Sequence, residues 1–195
     1  MTSPSAATSA GVNRPVEGSI AARAARLEWG ATALRIGFGV IWAIDAWLKW
    51  QPGFRATLLP SMLATAAGQP HWLMPWFDFW IRLQRPAPQL WAYFAAIVET
   101  MIAITLLLGV SRRVVYIGGA CYSLMIWSTA EGFGGPYTPG STDVGPSIIY
   151  VLVFCALLVL LEARLGDRLT LDATIGRRVL WWSRLAGPSG RYGAL

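Results

Sequence analysis

The chain has 195 residues, of which 55% are hydrophobic and only 13% are charged, whereas globular domains carry about 25% charged residues. The formal charge is +6, the mean hydropathy is +0.48, and there are 11 Trp and two Cys. These values exclude a disordered chain and a disulfide-stapled secreted domain. They also argue against a nucleic-acid binder, because so dilute a positive charge in so apolar a chain is typical of membrane proteins.

Four stretches are long and apolar enough for membrane-spanning helices, which need about 20 apolar residues. They cover about residues 29–50, 89–110, 113–130 and 144–162. The runs are rich in Ala and Leu and lack the alternation of barrel strands. We therefore predict an all-α integral membrane protein, with a four-transmembrane-helix bundle over residues 29–162.

The two ends of the chain differ from this apolar domain. Residues 2–18 are rich in Ser, Ala, Thr and Pro, which predicts disorder, and residues 19–28 resemble a short helix that leads into the first span. Residues 163–195 form a basic tail with Trp181 and Trp182 among arginines. This pattern is typical of a helix that lies on the membrane surface.

The orientation follows from the distribution of Lys and Arg. The N-terminal tail, the second loop and the C-terminal tail hold three, two and six cations, whereas the first loop holds three in 38 residues and the third loop holds none. An even number of spans places both termini on one side. We therefore expect both termini in the cytoplasm of a prokaryotic cell, and the first and third loops on the outer face of its cytoplasmic membrane.

The first loop, residues 51–88, is too long for a turn and too apolar for free solution. It contains a Trp-rich run from His71 to Leu83, and Trp favours the headgroup region of a bilayer. We expect this segment in the outer interface, as a cap over the bundle. A lipid-anchoring belt without any chemistry explains the same pattern.

Ionisable residues within the first span are expensive in a membrane and are functional candidates by default. Trp42, Asp45 and Lys49 lie within about 80° of Arg35 on a helix, so they form one stripe. The stripe has two interpretations. Either Asp45 and Lys49 form an ion pair at i, i+4 while Arg35 reaches the phosphates, or the stripe faces the bundle interior and binds a polar or anionic group.

The second span carries Glu99 on the same stripe as Ala92, Ala96 and Ala103. Small residues on one stripe indicate a close helix contact in a membrane, so we expect Glu99 to point into the bundle. There it must be neutral or must have a partner. The candidate partners are Arg35, Lys49, Tyr116 and Tyr122, and a purely structural hydrogen bond is the alternative to a functional role.

The third loop has five Gly and two Pro between residues 132 and 145 and therefore folds tightly. Tyr137 lies within it. Asp143 can cap the following helix, which is its simplest interpretation. Glu131 ends the third span, where a helix C-terminus disfavours an acid, so it is a stronger functional candidate.

Few of the remaining residues suggest chemistry. Cys121 and Cys155 lie inside spans without CxxC spacing, and such thiols usually act as small hydrophobes. His71 with Met74, Asp78 and the acids of the third loop could be imagined as an outer metal site, but no spacing supports it. We therefore predict no metal site and find no haem motif.

These residues together resemble the DoxX/DoxD-like membrane proteins. The pattern is Arg35-x3-Gly39-x2-Trp42-x2-Asp45-x3-Lys49-x2-Pro52-x-Phe54, then Glu99-x9-Gly109, then Glu131-Gly132-x-Gly134-Gly135-Pro136-Tyr137, then Ser141-Thr142-Asp143-Val144-Gly145. The DoxD branch, a subunit of thiosulfate:quinone oxidoreductase, is the most similar. The resemblance implies a four-helix membrane bundle, a quinone as cofactor and sulfur chemistry.

Three functions are compatible with the sequence. The first is a quinone-linked oxidoreductase subunit that acts on thiosulfate or another sulfur compound. The second is a non-catalytic accessory subunit of a larger membrane complex, such as a metal-dependent oxidase or monooxygenase. The third is a small transporter or channel, which no broken-helix repeat supports. The expected partners are the lipid bilayer and other membrane subunits, and no nucleic acid.

For the first function, we assign candidate roles to eight residues. The candidate catalytic residues are Lys49, Asp45, Glu99 and Glu131. The candidate substrate-binding or quinone-binding residues are Arg35, Trp42, Tyr137 and Asp143. Glu99 would carry protons, and Lys49 or Arg35 would attract an anion.

Overall fold

The computed structural model describes residues 14–135, 144–164 and 168–188, and these residues are helical or irregular, without strands. The main helices are α1 (Arg14–Lys49), α2 (Pro52–Ala67), α3 (Met74–Gln84), α4 (Pro88–Leu108), α5 (Arg112–Ser128) and α6 (Pro146–Glu162). Two short helices follow, α7 (Asp172–Ile175) and α8 (Ser183–Ala186). The prediction of an all-helical chain is confirmed.

Helices α1, α4, α5 and α6 lie where the sequence predicts spans. Proline stands in the first turn of α2, α4 and α6, where its missing N–H costs nothing. Helix α4 ends at Gly109, which adopts the left-handed conformation with φ of 63°, as is common after a helix. Helix α1 begins at Arg14, so residues 14–18, for which the sequence predicts disorder, are helical; residues 1–13 lie outside the described part.

The main core joins α1 to α4 and α5 to α6. Its centre is aromatic: Phe38, Trp42 and Phe154 are buried and contact one another. The Phe154 ring packs directly on Gly119 of α5, where an added Cβ would lie 2.3 Å from the ring. Gly39 similarly allows α1 to approach Leu106 of α4. Small residues therefore set both helix contacts.

The long first loop folds into α2 and α3, with a 3₁₀ turn at His71–Leu73 between them. The two helices share a separate small core of Met62, Ala66, Phe77 and Ile81. Helix α2 packs on the first half of α4, because α1 ends beside the middle of α4: Trp50 Nε1 donates to Thr100 Oγ1 at 3.0 Å. The loop is therefore a helical hairpin that extends the bundle beyond the end of α1.

At the opposite end of the bundle, Arg35 is completely buried. Its guanidinium donates to the carbonyls of Leu106 and Leu107 in α4, and to those of Arg168 and Leu169 at 3.3 and 3.1 Å. Helix α1, the end of α4 and the C-terminal segment are thus held together by one side chain.

Asp172 holds the same segment to α5. Its carboxylate accepts hydrogen bonds from the backbone N–H groups of Ser111 and Arg112, from Arg112 Nε and from Trp182 Nε1, over distances of 2.7 to 3.2 Å. It supplies the cap of α5, which has no capping side chain of its own. Residues 168–186 therefore dock onto the bundle, and the position of this tail on the membrane surface stays a prediction.

The outer surface of the helices is strongly apolar. Residues 22–49 of α1 and all of α4 are long and apolar enough to cross a membrane. Of the most apolar 18-residue segment in each helix, however, only 39% and 33% is buried within the protein. On α4 the exposed side chains form one stripe: Leu90, Phe94, Ile97, Met101, Ile104 and Leu108. A core helix of a soluble protein would bury such a stripe, so this surface suits lipid.

Candidate functional site

Glu99 lies near the middle of α4, and its side chain is only 2% exposed. Its Oε2 lies 3.5 Å from Lys49 Nζ at the end of α1, and its Oε1 accepts a hydrogen bond from the Tyr122 hydroxyl of α5 at 3.3 Å. The partners expected from the sequence included both residues. Three helices therefore bring an acid, a base and a phenol together in the bundle.

Asp45 and Lys49 do not form the ion pair that their spacing suggests. The carboxylate of Asp45 instead accepts a hydrogen bond from the Tyr150 hydroxyl of α6 at 3.2 Å. The crossing of α1 and α4 places Lys49 at Glu99 because Gly39 lets the two helices approach closely. Asp45 and Glu99 thus each have a tyrosine as hydrogen-bond donor.

Trp42 separates the two acid–tyrosine pairs. Its ring is 1% exposed and packs against Tyr122 and Tyr150, with centroids 6.1 and 5.5 Å apart. Its Nε1 has no hydrogen-bond partner among the described residues. In this position Trp42 is part of the core and does not line the cavity.

A cavity of about 300 Å³ extends from the Lys49–Glu99 pair towards the α2–α3 hairpin. Its walls are mostly apolar, with Phe54 and Leu58 from α2, Trp91 and Phe94 from α4, and Met125 from α5. Besides Lys49, Glu99, Tyr122 and Trp80, the polar residues of its lining are Thr57, Ser61, Gln84, Thr129 and Glu131. An apolar space with a few polar groups at one end is typical of a small-molecule site.

Two buried polar atoms of cavity-lining residues have no hydrogen-bond partner among the described residues. They are Glu99 Oε2, an acceptor, and Trp80 Nε1, a donor from α3. The contact of Lys49 with Glu99 Oε2 is an ion pair that is too long for a good hydrogen bond. Buried polar groups without a partner are costly, and both atoms have almost no accessible surface, even towards the cavity.

Glu131 has a structural contact as well as a place in the cavity wall. Its Oε1 accepts from Ser147 Oγ at 2.6 Å and its Oε2 accepts from Ser147 N at 3.1 Å. It therefore caps the N-terminus of α6, where negative charge is favourable. This contact explains why an acid follows α5.

The remaining candidates lie elsewhere. Arg35 is at the opposite end of the bundle, and its hydrogen bonds to four carbonyls use the guanidinium that a ligand would need. Tyr137 and Asp143 lie outside the described residues. His71 and Asp78 are exposed, and no group of three potential metal ligands occurs within residues 14–135, 144–164 and 168–188.

Several site residues were not found from the sequence. Trp80, Gln84 and Trp91 line the cavity, but only Trp80 lies in the Trp-rich run that the sequence indicated. Tyr150 was not considered because nothing in the sequence relates it to Asp45. A tyrosine about one turn into an apolar span, together with an acid in another span, is the pattern that could have suggested it.

The comparison with known protein families agrees with this architecture. The family model of DoxX matches residues 30–132, which is just over half of the chain. The protein belongs to the DoxX family. Members of this family are membrane proteins, as the apolar surface of α1 and α4 indicates. The match runs from residue 30 within α1 through α5 and includes Lys49, Glu99 and Tyr122. No curated protein and no solved structure matches the chain.

Proposed function

We propose that this DoxX protein is a membrane subunit of a quinone-linked oxidoreductase, and that its cavity receives the quinone headgroup. The electron donor would be thiosulfate or another sulfur compound, as in the similar DoxD branch. The observation that carries the proposal is the buried Lys49–Glu99 pair with Tyr122 at the polar end of an apolar cavity.

The proposal includes four spans, formed by α1, α4, α5 and α6, with both termini in the cytoplasm of a prokaryotic cell. Helices α5 and α6 have 17 residues each, so each is about 26 Å long, close to the roughly 30 Å of a bilayer core. The excess of Arg in the tails and the second loop supports the orientation. The cavity then lies towards the outer face, beneath the α2–α3 hairpin.

The cavity suits an aromatic headgroup on an apolar chain. Its volume of about 300 Å³ is at the lower end of the usual range for ligand pockets. Phe94 both lines the cavity and belongs to the exposed apolar stripe of α4. A ligand with a long hydrocarbon chain could therefore place its headgroup inside while the chain stays in the lipid.

The polar end of the cavity suits the chemistry of such a headgroup. A quinone supplies two carbonyl oxygens that take up protons when it is reduced. Lys49 would place positive charge next to a ligand oxygen, Glu99 would hold a proton beside it, and Tyr122 would orient the Glu99 carboxylate through its hydrogen bond. Asp45 and Tyr150 lie behind this group and would position α1 against α6.

The test is quinone binding and reduction by the purified protein in lipid nanodiscs. We expect a short-chain quinone to bind, and a sulfur donor to reduce it in the presence of the protein. Lys49→Met and Glu99→Gln should reduce both binding and turnover at least tenfold. The matched control is Glu162→Gln, which removes an exposed carboxylate of α6 that pairs with Arg113, and should leave both unchanged.

Two results would contradict the proposal. One is the absence of quinone binding to the wild-type protein. The other is wild-type turnover in Lys49→Met and Glu99→Gln. In either case, a stable larger assembly after gentle detergent extraction, with its subunits identified by mass spectrometry, would favour the accessory subunit.

A further inference from the structure

The end of the bundle that holds the C-terminal segment carries positive charge that no described acid neutralises. Four exposed arginines follow α6, and none of them has an ion-pair partner among the described residues. They are Arg164, Arg177, Arg178 and Arg184, and we call them the basic surface.

The acids that could neutralise the basic surface already have partners. Among the side chains that the structure describes at this end of the bundle, each acid forms an ion pair with another arginine at an N–O distance of 3.0 Å. The pairs are Glu28–Arg168, Glu162–Arg113 and Asp172–Arg112. The charge of the basic surface is therefore complementary to an anionic partner.

The bundle holds the segment that carries most of the basic surface. Arg35 donates to the carbonyl of Leu169, and Trp182 Nε1 donates to the carboxylate of Asp172 at 2.8 Å. Arg177 and Arg178 therefore lie in a short stretch that is anchored at both of its ends. Charges that are held in place before binding lose less conformational freedom than charges on a flexible tail.

Large apolar side chains of the same segment are exposed as well. Trp181 is 60% exposed, and Leu169 and Leu171 are 67% and 44% exposed. A Trp ring favours the headgroup region of a bilayer, because one part of the ring is apolar and its N–H group is polar. Arginines next to such residues suit a lipid surface better than a soluble anion, which would leave the apolar side chains in water.

We propose that the basic surface binds the phosphate groups of anionic phospholipids in the leaflet at this end of the bundle, with Trp181 inserted beside them. A guanidinium suits a phosphate because it can donate two parallel N–H groups to it. The inference goes beyond the proposed function, since it uses the proposed spans but neither the cavity nor the Lys49–Glu99 pair. A failure of quinone binding leaves it unchanged.

The experiment measures lipid binding to the full-length protein in a neutral detergent by native mass spectrometry. The probes are phosphatidylglycerol and phosphatidylcholine with identical acyl chains, together with soluble glycerol phosphate. We expect phosphatidylglycerol to bind about tenfold more tightly than either of the other two. Its advantage over phosphatidylcholine should shrink as the ionic strength rises, because salt screens exposed charges.

Three variants locate the preference. Arg177→Gln combined with Arg178→Gln should weaken phosphatidylglycerol about tenfold and leave phosphatidylcholine unchanged. The matched control is Arg82→Gln combined with Arg85→Gln, which removes the same charge from two exposed residues at the opposite end of the bundle and should keep the preference. Trp181→Ala should weaken both phospholipids by a similar factor, because it removes an apolar contact and no charge.

Three results would overturn the inference. They are equal affinities for the two phospholipids, a preference that persists without Arg177 and Arg178, and binding of glycerol phosphate as tight as that of phosphatidylglycerol. The last result would assign a soluble anion to the basic surface. The salt titration of the wild-type protein tests the inference even if a variant fails to fold, since a preference that is independent of ionic strength would also overturn it.

Discussion

Lys49 and Glu99 differ greatly in their access to solvent, since the side chain of Lys49 is 26% exposed and that of Glu99 is 2% exposed. A buried ion pair has a large desolvation cost, and its attraction returns little net stability. The loss of one partner is more damaging than the loss of both, because a lone charge then stays buried. The small net stability of such a pair therefore favours a functional reason over a structural one for the presence of Lys49 and Glu99.

The difference between losing one partner and losing both gives the first prediction. Lys49→Met leaves the Glu99 carboxylate without its cation and should lower the free energy of unfolding by about 3 kcal/mol. The double variant Lys49→Met with Glu99→Leu should recover most of that loss. Equilibrium unfolding in mixed detergent micelles measures both variants.

The control for this prediction is the exposed ion pair of Arg113 and Glu162. Its side chains are 45% and 42% exposed, so Arg113→Met should change the free energy by less than about 1 kcal/mol. A double variant that is less stable than Lys49→Met alone would contradict this prediction, since it would show that the unpaired Glu99 carboxylate does not cost stability.

At the residue scale, the sequence predicted the buried position of Glu99 but not the hydrogen-bond partner of Asp45. The stripe of Ala92, Ala96 and Ala103 is a local signal, and it correctly turns Glu99 inward, where it is 1% exposed. The spacing of Asp45 and Lys49 is also local, but the choice between Asp45 and Glu99 depends on how α1 crosses α4. That crossing depends on the packing of two segments that are distant in the chain, and a single sequence does not reveal it.

At the scale of elements, the contact between α5 and α6 depends on the absence of a side chain at Gly119. Gly119→Ala would place its Cβ 2.3 Å from the Phe154 ring, so we expect a loss of about 1–3 kcal/mol. Gly118→Ala on the same helix is the matched control, because nothing lies within 4 Å of its Cβ. It should be neutral or slightly stabilising, since Ala favours helix. Thermal unfolding of both variants in one detergent tests the pair.

A complementary variant makes this test more specific. Gly119→Ala combined with Phe154→Leu should be more stable than expected from the two single changes, because the smaller side chain makes room for the methyl group. Strictly additive losses would contradict the contact between Gly119 and Phe154.

The C-terminal segment gives a further prediction for an element. Asp172→Ala removes the acceptor of four hydrogen bonds and should cost about 3 kcal/mol. Amide hydrogen exchange of residues 168–186 should accelerate. Asp78→Ala is the control, because Asp78 is exposed on α3, and exchange of residues 168–186 should remain slow in that variant. Unchanged exchange in Asp172→Ala would contradict the docking role.

The helices were predictable from the sequence, whereas their docking was not. Long apolar runs and prolines in the first turns identify α4 and α6 locally. By contrast, Asp172 caps a helix that begins 60 residues earlier in the chain, and Arg35 binds carbonyls 71 and 134 residues away. Backbone acceptors have no sequence signature, so the sequence predicts a ligand-binding or lipid-anchoring role for Arg35 instead.

At the scale of the whole molecule, the charge distribution predicts the orientation in the membrane. In a Cys121→Ser, Cys155→Ser background, Ala67→Cys and Ala173→Cys place single thiols at the two ends, and both positions are exposed. A membrane-impermeant thiol reagent should label Ala67→Cys in intact cells, and Ala173→Cys only after permeabilisation. The opposite pattern, or labelling of both in intact cells, would contradict the proposed topology.

For the molecule as a whole, composition and helix periodicity were sufficient for fold class, and the motif pattern was sufficient for the family. The cavity was not predictable, because Phe54, Trp80 and Trp91 reach it from three helices. A Trp-rich loop that anchors in lipid and one that covers a cavity have the same composition. Only the fold of residues 52–84 distinguishes them.

The two halves of the cavity belong to separable parts of the chain. Lys49, Glu99 and Tyr122 lie on α1, α4 and α5, whereas much of the apolar wall comes from the α2–α3 hairpin, which has a core of its own. Substitutions in residues 52–84 can therefore change the shape of the cavity without moving the Lys49–Glu99 pair. In evolutionary terms, this arrangement lets the surroundings of one buried ion pair change through exchange of a single contiguous segment.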